Sequence, residues 1–300
     1  MSDTVSDSTS AVPEEVWRQY LTWAGTARRG KTIQDRARTM AFALGVTGAV
    51  LGVVSGYFSP TWARVWGIAA GVAVALAGFI GREFFLSQGE PDWSRARILA
   101  EALKRETWLY LMKIPRYDGE DRDENLQKVA RELQGNVGLR RSALPNGSSR
   151  PLPNVGSLTD YLRQRIDDQI AFYEKAWTSA AATLQFWRPI TLALGAAALI
   201  LGLDLFKEGK FPTWIPVVTT VAAAIAAHLR ALRLEALLSL YQAAEGQLRL
   251  KRAAATAKAP ADAAAFVRDC EEIMSRENQS WRAEWRTQPQ TEEGSHARKD

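Results

Sequence analysis

The sequence has few of the side chains on which most enzymes and metal sites depend. Its 300 residues include one cysteine, Cys270, and two histidines, His228 and His296. A single cysteine excludes a disulfide framework and a cysteine-clustered zinc site. The adjacent carboxylates Asp167–Asp168 and Glu271–Glu272 point in different directions on a helix, so neither pair forms an acid–base dyad. The sequence therefore predicts no catalytic residue, no cofactor and no metal site.

Charged residues are also missing from four long stretches. None occurs from Met40 to Phe58, a run that as a helix would be about 28 Å long, close to the roughly 30 Å hydrocarbon core of a bilayer. The predicted membrane helices cover residues 40–58, 65–81, 189–206 and 211–229. A soluble bundle with buried helices is the alternative, because these runs are rich in Gly and Ala. Four runs of membrane length favour an all-α membrane protein, with four transmembrane helices as two helical hairpins and cytosolic helical extensions.

Aromatic and basic residues lie at opposite ends of the first hairpin, whereas the second is less decisive because its turn carries Lys207 and Lys210. Trp62 and Trp66 lie at the turn of the first hairpin and Trp214 near the turn of the second, where interfacial anchors are expected. Basic residues precede and follow the first hairpin, while its turn carries only Arg64. The positive-inside tendency then predicts a multi-pass protein with both termini and the 82–187 segment in the cytoplasm.

One stretch matches a nucleotide-binding motif. GTARRGKT, Gly25 to Thr32, has the spacing G-x-x-x-x-G-K-[ST] of a phosphate-binding loop. Such a loop follows a buried strand, yet Val16, Trp17 and Leu21 have helical spacing and the sequence offers no parallel sheet. Its basic residues are better explained as an anchor near anionic headgroups. A nucleotide hydrolase is therefore the least favoured function.

A stretch rich in Gly, Pro, Asn and Ser, GNVGLRRSALPNGSSRPLPNVGS, divides the chain near residue 150. We expect a first two-transmembrane unit at 1–150 and a second at 151–300, each with one hairpin and cytosolic helices. A disordered tail is expected after Arg286. Apolar stripes on the cytosolic helices indicate a packed bundle, for example Leu99, Leu103, Tyr110 and Ile114.

Small and hydroxyl-bearing residues inside the apolar runs are candidate contact positions. Glycines spaced at four residues permit close approach of helices in lipid: Gly48, Gly52, Gly56, Gly67 and Gly71. They pack the two helices of one hairpin or form contacts between copies, and both explanations stay open. Thr219 and Thr220 either line a pore or bond back to their own helix. Asp204 and His228 lie near helix ends, where snorkelling is the alternative to a functional role.

Three segments resemble the SLATT family, bacterial two-transmembrane effector domains associated with nucleotide-sensing conflict systems. They are YLRQRIDDQIAFYEKAW before the third apolar run, FVRDCEEIMSRENQSW near the end, and ARILAEALKRETWLYLMKIPRY after the first hairpin. The resemblance covers most of the chain, as two such units in tandem. It implies an effector of a bacterial conflict or antiviral defence system that acts by pore formation or membrane disruption after oligomerisation. The alternative is a non-conducting membrane scaffold that recruits a cytosolic partner through its helical bundle.

The resemblance also implies a location and partners. It places the chain in the lipid bilayer of the bacterial inner membrane, as a homo-oligomer. A nucleotide-sensing or nucleotide-synthesising partner protein is implied, because the chain carries no such domain of its own, and no nucleic-acid partner is expected. Four membrane helices are too few to enclose a wide aqueous channel, so several copies are expected to assemble with closed symmetry.

Overall fold

The fold is described by a computed structural model that covers residues 11–85, 92–135, 150–202 and 214–286. Every regular element within these residues is helical, which confirms the predicted all-α class. Four helices are long and apolar enough to cross a membrane. Asp204, the middle of the linker and the tail after Arg286 lie outside the described residues.

The first half of the chain begins with one uninterrupted helix. Helix α1, Ala11–Ser55, joins the polar N-terminal stretch to the first apolar run. It ends three residues before the predicted boundary, because the N–H groups of Gly56 and Tyr57 turn back to carbonyls three residues earlier. The second apolar run lies in α2, Pro60–Phe85, and two charged helices follow, α3, Asp92–Leu111, and α4, Arg122–Gly135.

The second half repeats this order with one irregularity. A short helix α5, Leu158–Tyr161, is capped by the Ser157 hydroxyl, which accepts from the N–H of Asp160. A π-helical turn, Leu162–Ile166, leads into α6, Asp167–Leu201, which continues through Pro189. The predicted third membrane helix is thus the C-terminal part of α6.

Three more helices complete the described part of the chain. The predicted fourth membrane helix is α7, Ile215–Leu232. It ends at Arg233, whose left-handed φ of 49° separates it from α8, Leu234–Ala257. Helix α9, Ala263–Arg286, is the last element.

The helices form two compact units, and each unit takes segments from both halves of the sequence. The polar unit consists of the described residues within 1–27, 89–170 and 243–300. The membrane unit consists of those within 28–88 and 171–242. Thus α1 and α6 each contribute a polar part to one unit and an apolar part to the other.

The two units differ in how much of their apolar surface is buried within the chain. The polar unit buries many of its large apolar side chains, among them Trp17, Leu103, Trp108, Ile166 and Val267. In the membrane unit the most apolar 18-residue stretches of the four spanning helices have only 17%, 11%, 0% and 12% of their residues buried within the chain. A soluble bundle would bury these stretches, so their exposure favours the membrane over that alternative.

Candidate functional site

The stretch Gly25–Thr32 lies well inside α1. Backbone N–H groups within a helix bond to carbonyls one turn earlier, so they are not available to hold a phosphate. The Thr32 hydroxyl likewise donates to the carbonyl of Arg28, at 2.9 Å. The stretch therefore forms no phosphate-binding loop in this fold, and Arg28, Arg29 and Lys31 are exposed on the helix surface.

An aromatic group joins the two hairpins at one end of the membrane unit. The indole N–H of Trp214 donates to the Tyr57 hydroxyl at 2.8 Å, with the ring centres 6.2 Å apart. Phe58 stacks on Trp66 at 6.0 Å, and Trp62 is 58% exposed. Aromatic side chains at one end of apolar helices are typical of interfacial anchors. The role of Trp62, Trp66 and Trp214 at a bilayer interface stays a prediction.

At the other end of the membrane unit, Phe42 of α1 contacts aromatic rings of two other helices, α6 and α7. Its ring centre lies 6.2 Å from that of Trp187 in α6 and 4.9 Å from that of His228 in α7. His228 is half-buried, and its Nδ1 atom has no hydrogen-bond partner. This histidine therefore packs against an aromatic ring instead of extending to a polar surface.

The five candidate glycines occupy different surroundings. A Cβ on Gly48 would lie 2.7 Å from the Val74 side chain and 3.1 Å from the carbonyl oxygen of Ala70, so Gly48 is where α1 and α2 approach most closely among these positions. A Cβ on Gly52, Gly67 or Gly71 would meet no atom within 4 Å. One on Gly56 would meet only the carbonyl oxygen of Val53 in its own turn. Gly48 thus packs within the hairpin, while Gly52, Gly67 and Gly71 are open to whatever surrounds the chain.

The two candidate pore-lining threonines, Thr219 and Thr220, are both exposed on α7. The Thr219 hydroxyl donates to the carbonyl of Ile215 at 2.9 Å and lies 3.1 Å from that of Pro216. Bonding back to the helix satisfies the hydroxyl in an apolar environment. This contact accounts for Thr219 within one chain, and lining of a pore by either residue stays a prediction.

The polar unit contains a buried ion pair. Arg165, in the π-helical turn, donates from Nε and Nη2 to the two carboxylate oxygens of Glu271 in α9, each at 2.9 Å. The two side chains are 3% and 1% exposed. The Tyr161 hydroxyl donates to the same carboxylate at 3.1 Å, and Trp108 meets the Tyr161 ring edge-on at 5.8 Å. The network ties α3, the π-helical turn and α9 together.

Burial and charge shift the pKa values of side chains around this network. Burial raises the pKa of the Cys270 thiol to about 12, and the Glu271 carboxylate contributes to the rise. Burial alone would raise the pKa of Glu101, but Lys104 and Arg165 hold it below its ordinary value. Burial and the nearby Arg165 lower the pKa of Lys104. Glu101 and Lys104 thus lie close enough to Arg165 for its charge to lower both pKa values.

Two further ion pairs connect α3 to α9. Arg105 lies 3.8 Å from Glu272, and Arg97 lies 4.0 Å from Glu277. Glu271 and Glu272 thus have different partners, as expected for neighbours on a helix. Because α3 belongs to the first half of the sequence and α9 to the second, these contacts hold the two halves together.

A pocket of about 280 Å³ lies beside this network. It is bordered by α3, α4 and α9, and its lining includes Glu101, Arg105, Glu106, Arg165 and Met274. Glu106 is already engaged, because it accepts from the Tyr117 hydroxyl at 2.6 Å. The described residues contain no group of three or more His, Cys, Asp or Glu side chains placed to hold a metal ion.

Two family models match different parts of the chain. Residues 161–281 match the SMODS and SLOG-associating 2TM effector domain 1, SLATT_1. Residues 161–281 are therefore similar to a SLATT domain. The SLATT domain contains Tyr161, Arg165 and Glu271 of the buried network, together with α7 and α8. Residues 15–125 match DUF4231, described as a protein of unknown function, and no curated protein and no solved structure matches the chain.

The resemblance inferred from the sequence is therefore confirmed for residues 161–281, and the SLATT domain is an effector domain linked to conflict systems. A second SLATT-like unit in the first half stays a prediction. Arg165 was not predicted as a functional residue and occurs in the sequence only as part of the segment YLRQRIDDQIAFYEKAW. No sequence signal separates it from Arg163, which also lies between the apolar residues Leu162 and Ile166 but is exposed.

Proposed function

We propose that the chain is a membrane-embedded effector of a bacterial conflict or antiviral defence system, which self-associates and then opens a pore or disrupts the membrane. The observation that carries the proposal is a SLATT domain, by its description a two-transmembrane effector domain, whose apolar helices are largely uncovered by the rest of the chain. The proposal includes a homo-oligomer and a nucleotide-sensing or nucleotide-synthesising partner protein that supplies the trigger.

The proposal treats the chain as two SLATT-like units in tandem, at 1–150 and 151–300. Helices α1 and α6 support this division, since each has a polar N-terminal part and an apolar C-terminal part. Each is followed by a second apolar helix, α2 or α7, and then by charged helices. With two such units, one chain has four membrane helices, as many as two copies of a protein with a single unit.

We place the chain in the bacterial inner membrane with both termini in the cytoplasm. The polar unit supports a common side for its three segments, because segments that fold into one compact unit cannot be separated by a bilayer. The basic residues at the polar ends of α1 and α2 support the cytoplasm as that side, among them Arg36 and Arg82.

Self-association is supported by the surface of the membrane unit. Gly52, Gly67 and Gly71 leave open space at their Cβ positions, where a neighbouring helix can approach the backbone closely. No charged residue interrupts the apolar runs of the described membrane helices, so one chain lacks a charged lining for ions. Several copies with the hydroxyls of Thr219 and Thr220 turned inward would provide a polar path.

The test is dye release from vesicles that contain the purified full chain. A pore-forming effector releases dye, with a steep dependence on the protein-to-lipid ratio because several copies must meet. Release that stays at the level of empty vesicles, while crosslinking shows correctly inserted oligomers, would contradict pore formation.

The second candidate function is a non-conducting scaffold that recruits a cytosolic partner through its helical bundle. The observation that favours it is the back-bonded hydroxyl of Thr219, which removes one polar group from a prospective lumen. A scaffold would release no dye from vesicles and would bind a partner through the polar unit. Capture of the same partner by the polar unit of inserted chains, without dye release, distinguishes it from the pore.

A further inference from the structure

Each apolar helix of the membrane unit has an exposed arginine close to the same end of its apolar run. These residues are Arg36 of α1, Arg82 of α2, Arg188 of α6 and Arg230 of α7, and together they are called the arginine collar. The uncharged run of α1 begins at Met40, four residues after Arg36. The arginines of the other three helices lie at the ends of their apolar runs.

Contacts inside the membrane unit place the collar at one end of that unit, within about 10 Å along the helix axes. Phe42 contacts Trp187, the neighbour of Arg188, and His228, which precedes Arg230 by about 3 Å of helix. Arg36 lies about 9 Å from Phe42 along the axis of α1. The close approach of α2 at Gly48 makes the two helices antiparallel neighbours, which brings the Arg82 end of α2 to the same side.

Acidic residues at this end leave the collar accessible. Asp35 lies 3.9 Å from Arg38, a buried arginine outside the collar, and Glu83 is exposed beside Arg82. Glu235 contacts Arg188 at 3.2 Å, but the two side chains are 75% and 70% exposed, and such surface pairs are weak. At the opposite end of the membrane unit, Arg64 is the one basic residue among those that the structure describes.

We propose that the arginine collar binds the phosphate groups of anionic lipid headgroups in one leaflet. A headgroup layer is about 5–8 Å thick on each side of the hydrocarbon core, and Arg36 lies about 6 Å before Met40 along α1. Its guanidinium therefore reaches the layer in which lipid phosphates lie. Arginine suits this ligand because its planar fork donates two parallel hydrogen bonds to a phosphate.

The same helix contains basic residues that fall outside the layer. Arg28 lies about 18 Å before Met40, beyond the reach of a headgroup phosphate if α1 stands close to the membrane normal. Arg28 and Arg36 are both exposed. Lipid binding at the collar would depend on Arg36 but not on Arg28, whereas a diffuse attraction to anionic surfaces would depend on both. The inference does not depend on conduction, since it concerns only the lipid that surrounds the membrane unit.

The experiment measures lipid preference by tryptophan quenching. The full chain is reconstituted in phosphatidylcholine vesicles, and brominated phosphatidylglycerol or brominated phosphatidylcholine is added as the quencher. Wild type should prefer phosphatidylglycerol, and Arg36→Gln should lower that preference about fivefold, the factor that corresponds to about 1 kcal/mol per basic residue at an anionic surface. Arg82→Gln should act similarly.

Matched controls decide the outcome. Arg64→Gln, on the same helix as Arg82 but at its other end, and Arg28→Gln should leave the preference unchanged, while Arg36→Lys should keep part of it. Equal losses in Arg28→Gln and Arg36→Gln would overturn the collar in favour of diffuse charge attraction. An unchanged ratio when all four collar arginines become glutamine would overturn it outright. Abolition of the preference by excess inorganic phosphate would assign the site to free phosphate instead of lipid.

Discussion

Arg165 donates from Nε and Nη2 to the two carboxylate oxygens of Glu271, 106 positions away in sequence, at 2.9 Å each. Both belong to the SLATT domain, whereas Trp108, whose ring centre lies 5.8 Å from the guanidinium carbon of Arg165, comes from the first half of the chain. The core of the polar unit is therefore shared between the halves. Neither half contains all of its own buried partners.

Loss of one member of this pair should destabilise the polar unit. In Arg165→Met the carboxylate of Glu271 stays buried without its countercharge, which typically costs about 3–5 kcal/mol. We expect a lower midpoint of thermal unfolding in detergent, measured by circular dichroism. Arg163→Met is the matched control, because Arg163 is a neighbour whose side chain is 72% exposed.

The double variant separates charge from packing. In Arg165→Met with Glu271→Met both buried charges are absent, and apolar side chains of similar size fill the space, so much of the stability should return. If the single variant unfolds at the wild-type temperature, the pair does not hold α9 against the π-helical turn.

The sequence was sufficient to predict the elements whose signal is local. Uncharged runs such as Met40–Phe58 have a length set by the bilayer, and the structure has a helix at each of them. The buried network could not be predicted in this way. Arg165 and Glu271 are ordinary charged residues in their own helices, and only the pairing of distant segments makes them a core pair. The π-helical turn that carries Arg165 adds an irregularity with no sequence signature of its own.

Cys270 should be inert in the folded protein. Its thiol pKa of about 12, against an ordinary value of 9.0, lowers the reactive thiolate fraction at neutral pH about a thousandfold. Because the shift is upward, labelling should increase as the pH is raised and should become rapid once the chain unfolds. Mass spectrometry after maleimide treatment measures this. Stoichiometric labelling at neutral pH before unfolding would contradict the buried position of the thiol.

The topology can be tested with the same reagent. Since Cys270 is buried, introduced cysteines report without removal of the native one. A cysteine at Ser59, in the turn between α1 and α2, should react with a membrane-impermeant reagent added to intact cells. A cysteine at Ala254, exposed on α8 in the polar unit, should react only after the cells are opened. The reverse pattern would invert the proposed orientation.

Lys31 should tolerate substitution, despite its place in the GTARRGKT stretch. Because the stretch is helical, Lys31 has no phosphate cradle to complete, and Lys31→Arg should keep activity while Lys31→Ala costs little. Toxicity after induced expression measures activity in cells, and ATP turnover by the purified chain tests for nucleotide hydrolysis. A phosphate-binding lysine does not tolerate exchange for arginine, which lacks its compact ammonium group. Complete loss of function in a stably inserted Lys31→Arg protein would restore the nucleotide-binding hypothesis.

Two glycines of α1 should respond differently to the same enlargement. Leucine at Gly48 would place its Cβ 2.7 Å from the Val74 side chain and 3.1 Å from a backbone oxygen of α2, and a backbone atom cannot move away cheaply. We expect Gly48→Leu to separate the helices of the hairpin and to insert poorly. Protease resistance of the membrane-inserted chain measures this effect.

Gly52→Leu should instead leave insertion normal, because its Cβ would meet nothing within 4 Å in the chain. If Gly52 lies at a contact between copies, a leucine there holds the neighbouring helix away by the width of a side chain. Crosslinked oligomers and dye release should then be lost together. Ala43→Leu is the control, since Ala43 is exposed on the opposite face of α1, half a turn away at 3.6 residues per turn. Wild-type oligomers and dye release in Gly52→Leu would show that this open face meets lipid and that any assembly uses another surface.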